Sequence, residues 1–400
     1  MLFRSQVVQL GIERHTETDN PLNGMCYVIK LSNGKAVIID GGYATEECVD
    51  TLYRALEALN IAKMSDGRYA IEAWILTHGH GDHVGTLLSM SRKYRDNIWL
   101  HYIIHNLGPT STDEISGSVL VGDETTARKY TNETELDAIL DYAWPDSARV
   151  NAHAGLKYYI GNMTLDLLYS PDVLYNGDER IGYYNDTSLI FKASAGGNDG
   201  TDKKSVFFFG DAGEVAAQRT WELYEESAFR SDILQVTHHG LYTKVGGEFA
   251  WEYIKMIYDA TGAKIAFLPL NSMYPEDATG RNGRYTVFVA WSMGWVKRNE
   301  DPIDTDRCHI SYFTNHNDVA YMNGVAASDV TQEHYNAFVA AVANGEYKGT
   351  FFGYDGVNKL YNENGLVTYV AANELETMYT QFSLGGGAVT LVKNQTVASL

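Results

Sequence analysis

The chain has 400 residues, with 31 Lys and Arg against 51 Asp and Glu, and a formal net charge of −20. That acidic excess argues against a duplex-DNA binder, which places Lys and Arg on phosphates. It leaves open a small anionic substrate held by a metal ion.

Hydrophobic residues make up 45 % and charged residues 20 %, so a sizeable core can be buried. Cys26, Cys48 and Cys308 are odd in number and sparse, which implies a reducing compartment without a disulfide framework. Residues 1–6 lack the apolar stretch of a signal peptide. No run of 18 apolar residues occurs. The expectation is a cytoplasmic protein with no membrane span.

In chain order, strands are predicted over 6–11, 25–31 and 35–40, with Asn33-Gly34 as a hairpin signal. A helix follows from about Thr45, since Val49, Leu52, Leu56 and Leu59 recur at spacings of three and four. An apolar strand over 71–77 ends in a histidine cluster. A helix over 87–94 and a strand over 98–104 come next. Short strands are read over 156–160, 165–168 and 188–192. The strand over 204–209 runs into Gly210-Asp211, and a helix is read over 216–226. The strand over 233–236 precedes His238-His239, and another spans 263–269.

This alternation predicts a layered α/β architecture, and the early hairpins argue against a purely parallel sheet. The character changes near residue 317, where a helix over 332–343 precedes Tyr- and Gly-rich strands. Residues 1–316 are therefore read as one catalytic domain. Residues 317–400 are read as a small C-terminal α/β accessory module.

The strongest chemical signal is Thr77-His78-Gly79-His80-Gly81-Asp82-His83. Histidine makes up 12 of 400 residues, so three beside an Asp within six positions is no chance loop. Imidazole nitrogen with carboxylate oxygen suits zinc and similar divalent metals.

This motif resembles the metallo-β-lactamase superfamily. The resemblance extends to Asp40-Gly41-Gly42 after an apolar strand, to Phe209-Gly210-Asp211, and to Thr237-His238-His239-Gly240, in the superfamily's order. It implies an αββα sandwich and a dinuclear centre, with zinc expected and manganese or iron as alternatives. It implies that His78 and His80 bind the first metal, that Asp82, His83 and His238 bind the second, and that Asp211 bridges both. Asp40 is then the residue that orients the site from behind. Adjacent residues on an extended segment point opposite ways, so His239 is read as a packing or substrate group.

One departure stands out. No histidine lies between His153 and His238, where the superfamily supplies a third first-metal ligand. His153 is read as a turn residue. The segment at the expected place is Asn185-Asp186-Thr187-Ser188-Leu189-Ile190, which is similar to the hydrolase domain of the bacterial competence DNA-uptake channel, as is His238-His239-Gly240. Asn185, Asp186 or a water is left to fill the position.

The mechanism implied is metal-assisted hydrolysis, with Asp82, Asp211 and Asn185 as catalytic residues. The competence-like features point to a phosphodiester, and the charge points to a small phosphoester substrate rather than a nucleic acid. Two other readings stand beside it: a single-stranded DNA nuclease, and a metal-binding sensor or adaptor without turnover. Arg281, Arg284, His309 and His316 are read as surface groups.

Overall fold

The computed structural model describes residues 5–10, 13–14, 22–107, 131–171, 184–196, 203–240, 243–245, 248–250, 252–263 and 265–268, together with strands at 310–312, 359–360, 369–370, 378–385 and 388–396.

The first layer uses β1 (Ser5–Leu10), β2 (Cys26–Lys30), β3 (Ala36–Asp40), β4 (Tyr69–Ile75), β5 (Ile98–His105) and β6 (Ala148–Asn151). The second uses β7 (Lys157–Ile160), β8 (Met163–Tyr169), β9 (Ile190–Ala195), β10 (Lys204–Phe208), β11 (Ile233–Gln235), β12 (Ile265–Leu268) and β13 (Ile310–Tyr312). The hairpin β14 (Met378–Gly385) and β15 (Ala388–Thr396) returns to the first layer. The sheet orders are β15-β14-β1-β2-β3-β4-β5-β6 and β13-β12-β11-β10-β9-β8-β7. Each sheet has an antiparallel half and a parallel half. The parallel halves run through β3 to β6 and through β10 to β13.

Alternation along the strands divides the apolar residues between two cores. Between the sheets, Tyr27, Val37 and Ala73 meet Phe191, Phe208 and Phe267. The Tyr27 ring stands 5.2 Å from that of Phe208 and 5.6 Å from that of Phe267. The outward set of the first sheet, including Ile38 and Trp74, is covered by helices α1 (Glu46–Ala58), α2 (Gly81–Lys93) and α3 (Glu133–Ala143). Phe207 and Phe209 of the second sheet are covered by α4 (Glu214–Leu223) and α5 (Glu252–Thr261). The result is the expected αββα sandwich.

Local chemistry accounts for most boundaries. Thr45 Oγ1 accepts from Cys48 N at 3.2 Å and starts α1. Asn132 and Glu135 close a reciprocal capping box that starts α3, a helix the periodicity reading does not anticipate. Helix α2 begins at Gly81, well before the predicted 87. Glycines weaken a helix, yet here packing requires one. A Cβ on Gly85 would lie 2.3 Å from Ala44 N. Glycine lets α2 lie flush on the 41–44 loop, where Thr86 N donates to Gly42 O and Thr86 Oγ1 to Tyr43 O, each at 2.9 Å.

Strand β14 pairs antiparallel with β1, Ser5 facing Leu384. This hairpin comes from the stretch expected as an accessory module. The helix expected over 332–343 lies outside the described residues, as do Arg281, Arg284, His309 and His316. Among the described residues, no helix is long and apolar enough to cross a membrane.

Candidate metal centre

The site lies where the parallel strands of both sheets end, the usual crevice of an α/β layer. Asp40 closes β3, His78 follows β4, and Asp82 and His83 occupy the first turn of α2. Asp211 follows β10, and a one-turn segment, Thr237–Gly240, follows β11. The halves are tied together by Leu189 N donating to Thr77 O at 2.8 Å. Gly210, at φ 53°, sits so close that a Cβ would meet Thr77 Cβ at 2.8 Å. Only glycine suits both that conformation and that contact.

Two groups of donors converge, and Asp211 belongs to both. One is Asp82, His83, Asp211 and His239; the other is His78, His80 and Asp211. In the first, Asp211 Oδ2 lies 3.2 Å from His83 Nε2 and 3.4 Å from His239 Nε2, and Asp82 Oδ2 lies 3.3 Å from His239 Nε2. In the second, His78 Nε2 and His80 Nδ1 face each other at 2.8 Å, and Asp211 Oδ2 is 3.9 Å from His78 Nε2. Asp40 stands behind. Its Oδ1 accepts from Thr77 N and its Oδ2 from Thr77 Oγ1, and His83 Nδ1 lies against Oδ2, all at 2.8 Å. A carboxylate accepts only, so His83 Nδ1 carries the proton and Nε2 is turned toward Asp211.

Electrostatics separate the histidines. Burial and neighbouring imidazoles hold His78 well below the ordinary range. Burial lowers His80 to about 4. Both present neutral nitrogens, the form that ligates. Burial opposes charge on His83 too, but Asp211, Asp40 and Asp82 outweigh it and push that imidazole well up. For His239, burial is outweighed by Asp211 and Asp82, and the value rises to about 10. Burial disfavours the Asp211 carboxylate, yet His83 and His239 hold it well below the usual range. Excess negative charge in a buried cluster calls for positive charge, from protons or from cations.

The residues fit cations. Asp211 Oδ1 is buried without a hydrogen-bond partner, a costly arrangement for a plain structural cluster. Mixed imidazole and carboxylate donors suit zinc, iron or manganese.

The placement of individual residues is informative. His78, His80, Asp82, His83 and Asp211 come together as expected from the sequence. Of the tandem histidines, His239 enters the cluster, whereas His238 supplies no donor to either group. The alternation rule does not hold here because the backbone is not extended: φ is 48° at His238 and 53° at His239. Two consecutive left-handed residues are a costly geometry of the kind held at functional sites. His153 lies exposed in the turn after β6, away from both groups. Asn185 is buried on the one-turn segment Tyr184–Thr187. The Asp186 carboxylate turns instead to the start of α4.

Gln235 was not singled out in the sequence. Its Oε1 accepts from Phe209 N at 2.7 Å and Gly210 N at 2.8 Å, and its Nε2 donates to Gly210 O at 3.0 Å and Val236 O at 2.5 Å. One buried amide thus ties the Asp211 turn to the strand that leads into the histidine pair. A glutamine among apolar residues, three positions before His238, was the available signal.

Residues 19–159 match the family profile described as the Metallo-beta-lactamase superfamily. That segment is about a third of the chain. The match takes in Asp40 and the whole histidine motif. No curated protein sequence matches the chain. Among solved structures, the chain is similar to the metallo-beta-lactamase fold protein YhfI from Bacillus subtilis, at 14 % identity and a TM-score of 0.38, over 68 % of this chain and 89 % of that one. It is similar to CmlA, a diiron beta-hydroxylase from Streptomyces venezuelae, at 16 % identity and a TM-score of 0.35, over 68 % of this chain and 46 % of that one. It is also similar to LRA-12, a class B3 di-zinc metallo-beta-lactamase from an Alaskan soil metagenome, at 13 % identity and a TM-score of 0.32, over 61 % and 86 %. None of these likenesses carries an activity over to this chain.

Proposed function

We propose that this protein is a dinuclear metal-dependent hydrolase of a small phosphodiester. The observation that supports the reading is the membership of Asp211 in both donor groups, as expected of a carboxylate that two cations would share. Bound there, two divalent cations, zinc by preference, lower the pKa of a water and polarise the scissile bond. His78 and His80 hold the first cation, with Asn185 as the candidate for its third protein donor. Asp82, His83 and His239 hold the second.

The chain's own residues set the conditions. Asp40 fixes the His83 ring. The buried walls formed by His78, His83, Asp211 and His239 keep bulk water from competing for the donors. Asp82 is the more open carboxylate, with 21 % of its side chain exposed. It faces the mouth, where it can orient a water.

Substrate size is argued from charge. A net charge of −20 makes a poor track for a polyanion, while two cations locally offset Asp40, Asp82 and Asp211. The Asn185–Ile190 and His238-His239-Gly240 resemblances favour phosphodiesters within the superfamily. The 317–400 segment is assigned an accessory role, its hairpin β14–β15 widening the first sheet.

The test combines metal analysis with turnover. Zinc-loaded protein is expected to hold two ions per chain and to hydrolyse bis(p-nitrophenyl) phosphate, with no cleavage of single-stranded DNA. Two ions with cleavage of a β-lactam or thioester but no phosphodiester overturns the substrate assignment. Failure to hold two ions overturns the dinuclear assignment.

A further inference from the structure

The Asn185-Asp186-Thr187-Ser188 segment makes its side-chain hydrogen bonds to the Asp211 turn and to the start of α4. Asp186 Oδ1 accepts from Gly213 N at 3.0 Å and Ala216 N at 3.1 Å. Ser188 Oγ accepts from Asp211 N at 3.1 Å. Both ends of the Asp211-Ala212-Gly213 turn are therefore held by this one segment. Gly213 has no room for a side chain, since a Cβ there would stand 2.8 Å from Asp186 Oδ1.

The segment is itself anchored at two points. Tyr169 OH donates to Asp186 O at 2.7 Å, which ties it to β8. Leu189 N donates to Thr77 O at 2.8 Å, beside the histidine motif, and within the segment Ser188 N donates to Asn185 O at 3.0 Å. Asp186 and Ser188 are both buried, so these bonds face no competition from water. A charged acceptor in such a place makes stronger bonds than a neutral one. Four orphan N–H groups mark the start of any helix, and α4 begins at Glu214 after a Gly213 that has no side chain to cap it. Asp186 supplies that cap from another element.

We propose that Asp186 and Ser188 are positioning residues that set the Asp211 carboxylate between the two cation positions, and that Asp186 is not a ligand. This rests on the dinuclear reading above. A shared carboxylate has to be placed within a few tenths of an ångström to serve two ions, and Asp211 sits on a short turn that cannot fix itself. Because Asn185 belongs to the same segment, its side chain and Asp211 move as one body.

The test is cobalt binding, read by visible absorption and by competition with a chelator, on folded protein only. Asp186→Ala and Ser188→Ala are expected to weaken uptake of the second cobalt equivalent about 10- to 100-fold. Asp186→Asn keeps an acceptor oxygen and is expected to restore wild-type uptake and spectrum. A helix cap with no bearing on the centre would lower the melting temperature of Asp186→Ala and leave both affinities and the spectrum unchanged; that result overturns the proposal. Should Asp186→Ala fail to fold, Ser188→Ala decides, since it removes one hydrogen bond and leaves the cap. A wild-type protein that takes up no cobalt overturns the metal reading itself, which separates that failure from this one.

Discussion

His83 Nδ1 lies 2.8 Å from Asp40 Oδ2, and this contact decides which nitrogen of the ring faces Asp211. Asp40 sits at φ 55°, a conformation that Asp and Asn tolerate better than other side chains. Replacement by Asn therefore keeps the backbone and removes the carboxylate. Asp40→Asn is expected to lower zinc affinity about 10- to 100-fold, the usual cost of losing a partner behind a metal-ligating histidine. Chelator competition measures it; unchanged affinity would show that ring orientation is set elsewhere.

The tandem histidines provide a sharper test. His239→Ala is expected to leave one tightly held ion per chain, because it removes a member of the Asp82, His83 and Asp211 group. His238→Ala is expected to retain two. The reverse pattern in metal analysis would mean that the left-handed turn places the pair differently from the geometry described here.

Gly85 tests how the fold supports the site. Gly85→Ala brings a Cβ to 2.3 Å from Ala44 N and 2.8 Å from Gly42 O. Backbone on both sides cannot yield as a side chain does. The cost is expected at the upper end of the ~1–3 kcal/mol range for overpacking, read from urea unfolding. The shift displaces the first turn of α2, so metal affinity is expected to fall with stability.

His105 offers a pH dependence separate from the centre. It is buried, its Nδ1 accepts from Leu107 N at 3.2 Å, and burial lowers its pKa from 6.5 to about 4. The folded state keeps it neutral where the unfolded state takes a proton. Its contribution is intact above pH 6.5 and is lost progressively as pH falls from 6.5 towards about 4. The loss is roughly 3 kcal/mol at about 1.4 kcal/mol per pKa unit. His105→Asn retains an acceptor without the titration. Its stability relative to wild type is expected to improve across that interval, and parallel pH profiles would refute the assignment.

Much of the cluster is legible because its candidate donors are local. His78, His80, Asp82 and His83 fall within one strand end and one helical turn, and their residue types have few other uses at that spacing. Asp211 was legible from the apolar strand before it. That His239 and not His238 joins the donor group is not legible, because alternation presumes an extended backbone. No residue type at these positions announces left-handed φ; a glycine would have. Gln235 is not legible for a different reason, and neither are the bonds that Ser188 and Asp186 make. Their partners are backbone groups 23 to 30 residues away, and a buried polar side chain that satisfies a distant turn carries no periodic signal. Helix α2 was misjudged at its start, where glycine reads as a turn until the close approach to the 41–44 loop is known.

The pairing of β1 with β14 has a consequence for how the chain is made. Ser5 faces Leu384, so 379 residues of chain separate these partners. At about 5–20 residues per second on a ribosome, roughly 20–75 s pass between their syntheses. During that interval β1 can pair with β2 on one side only, and its other edge stands open to any passing strand. The nascent protein is thus expected to depend on chaperones most strongly after Asp211 and His239 have emerged and before β14 can close the first layer.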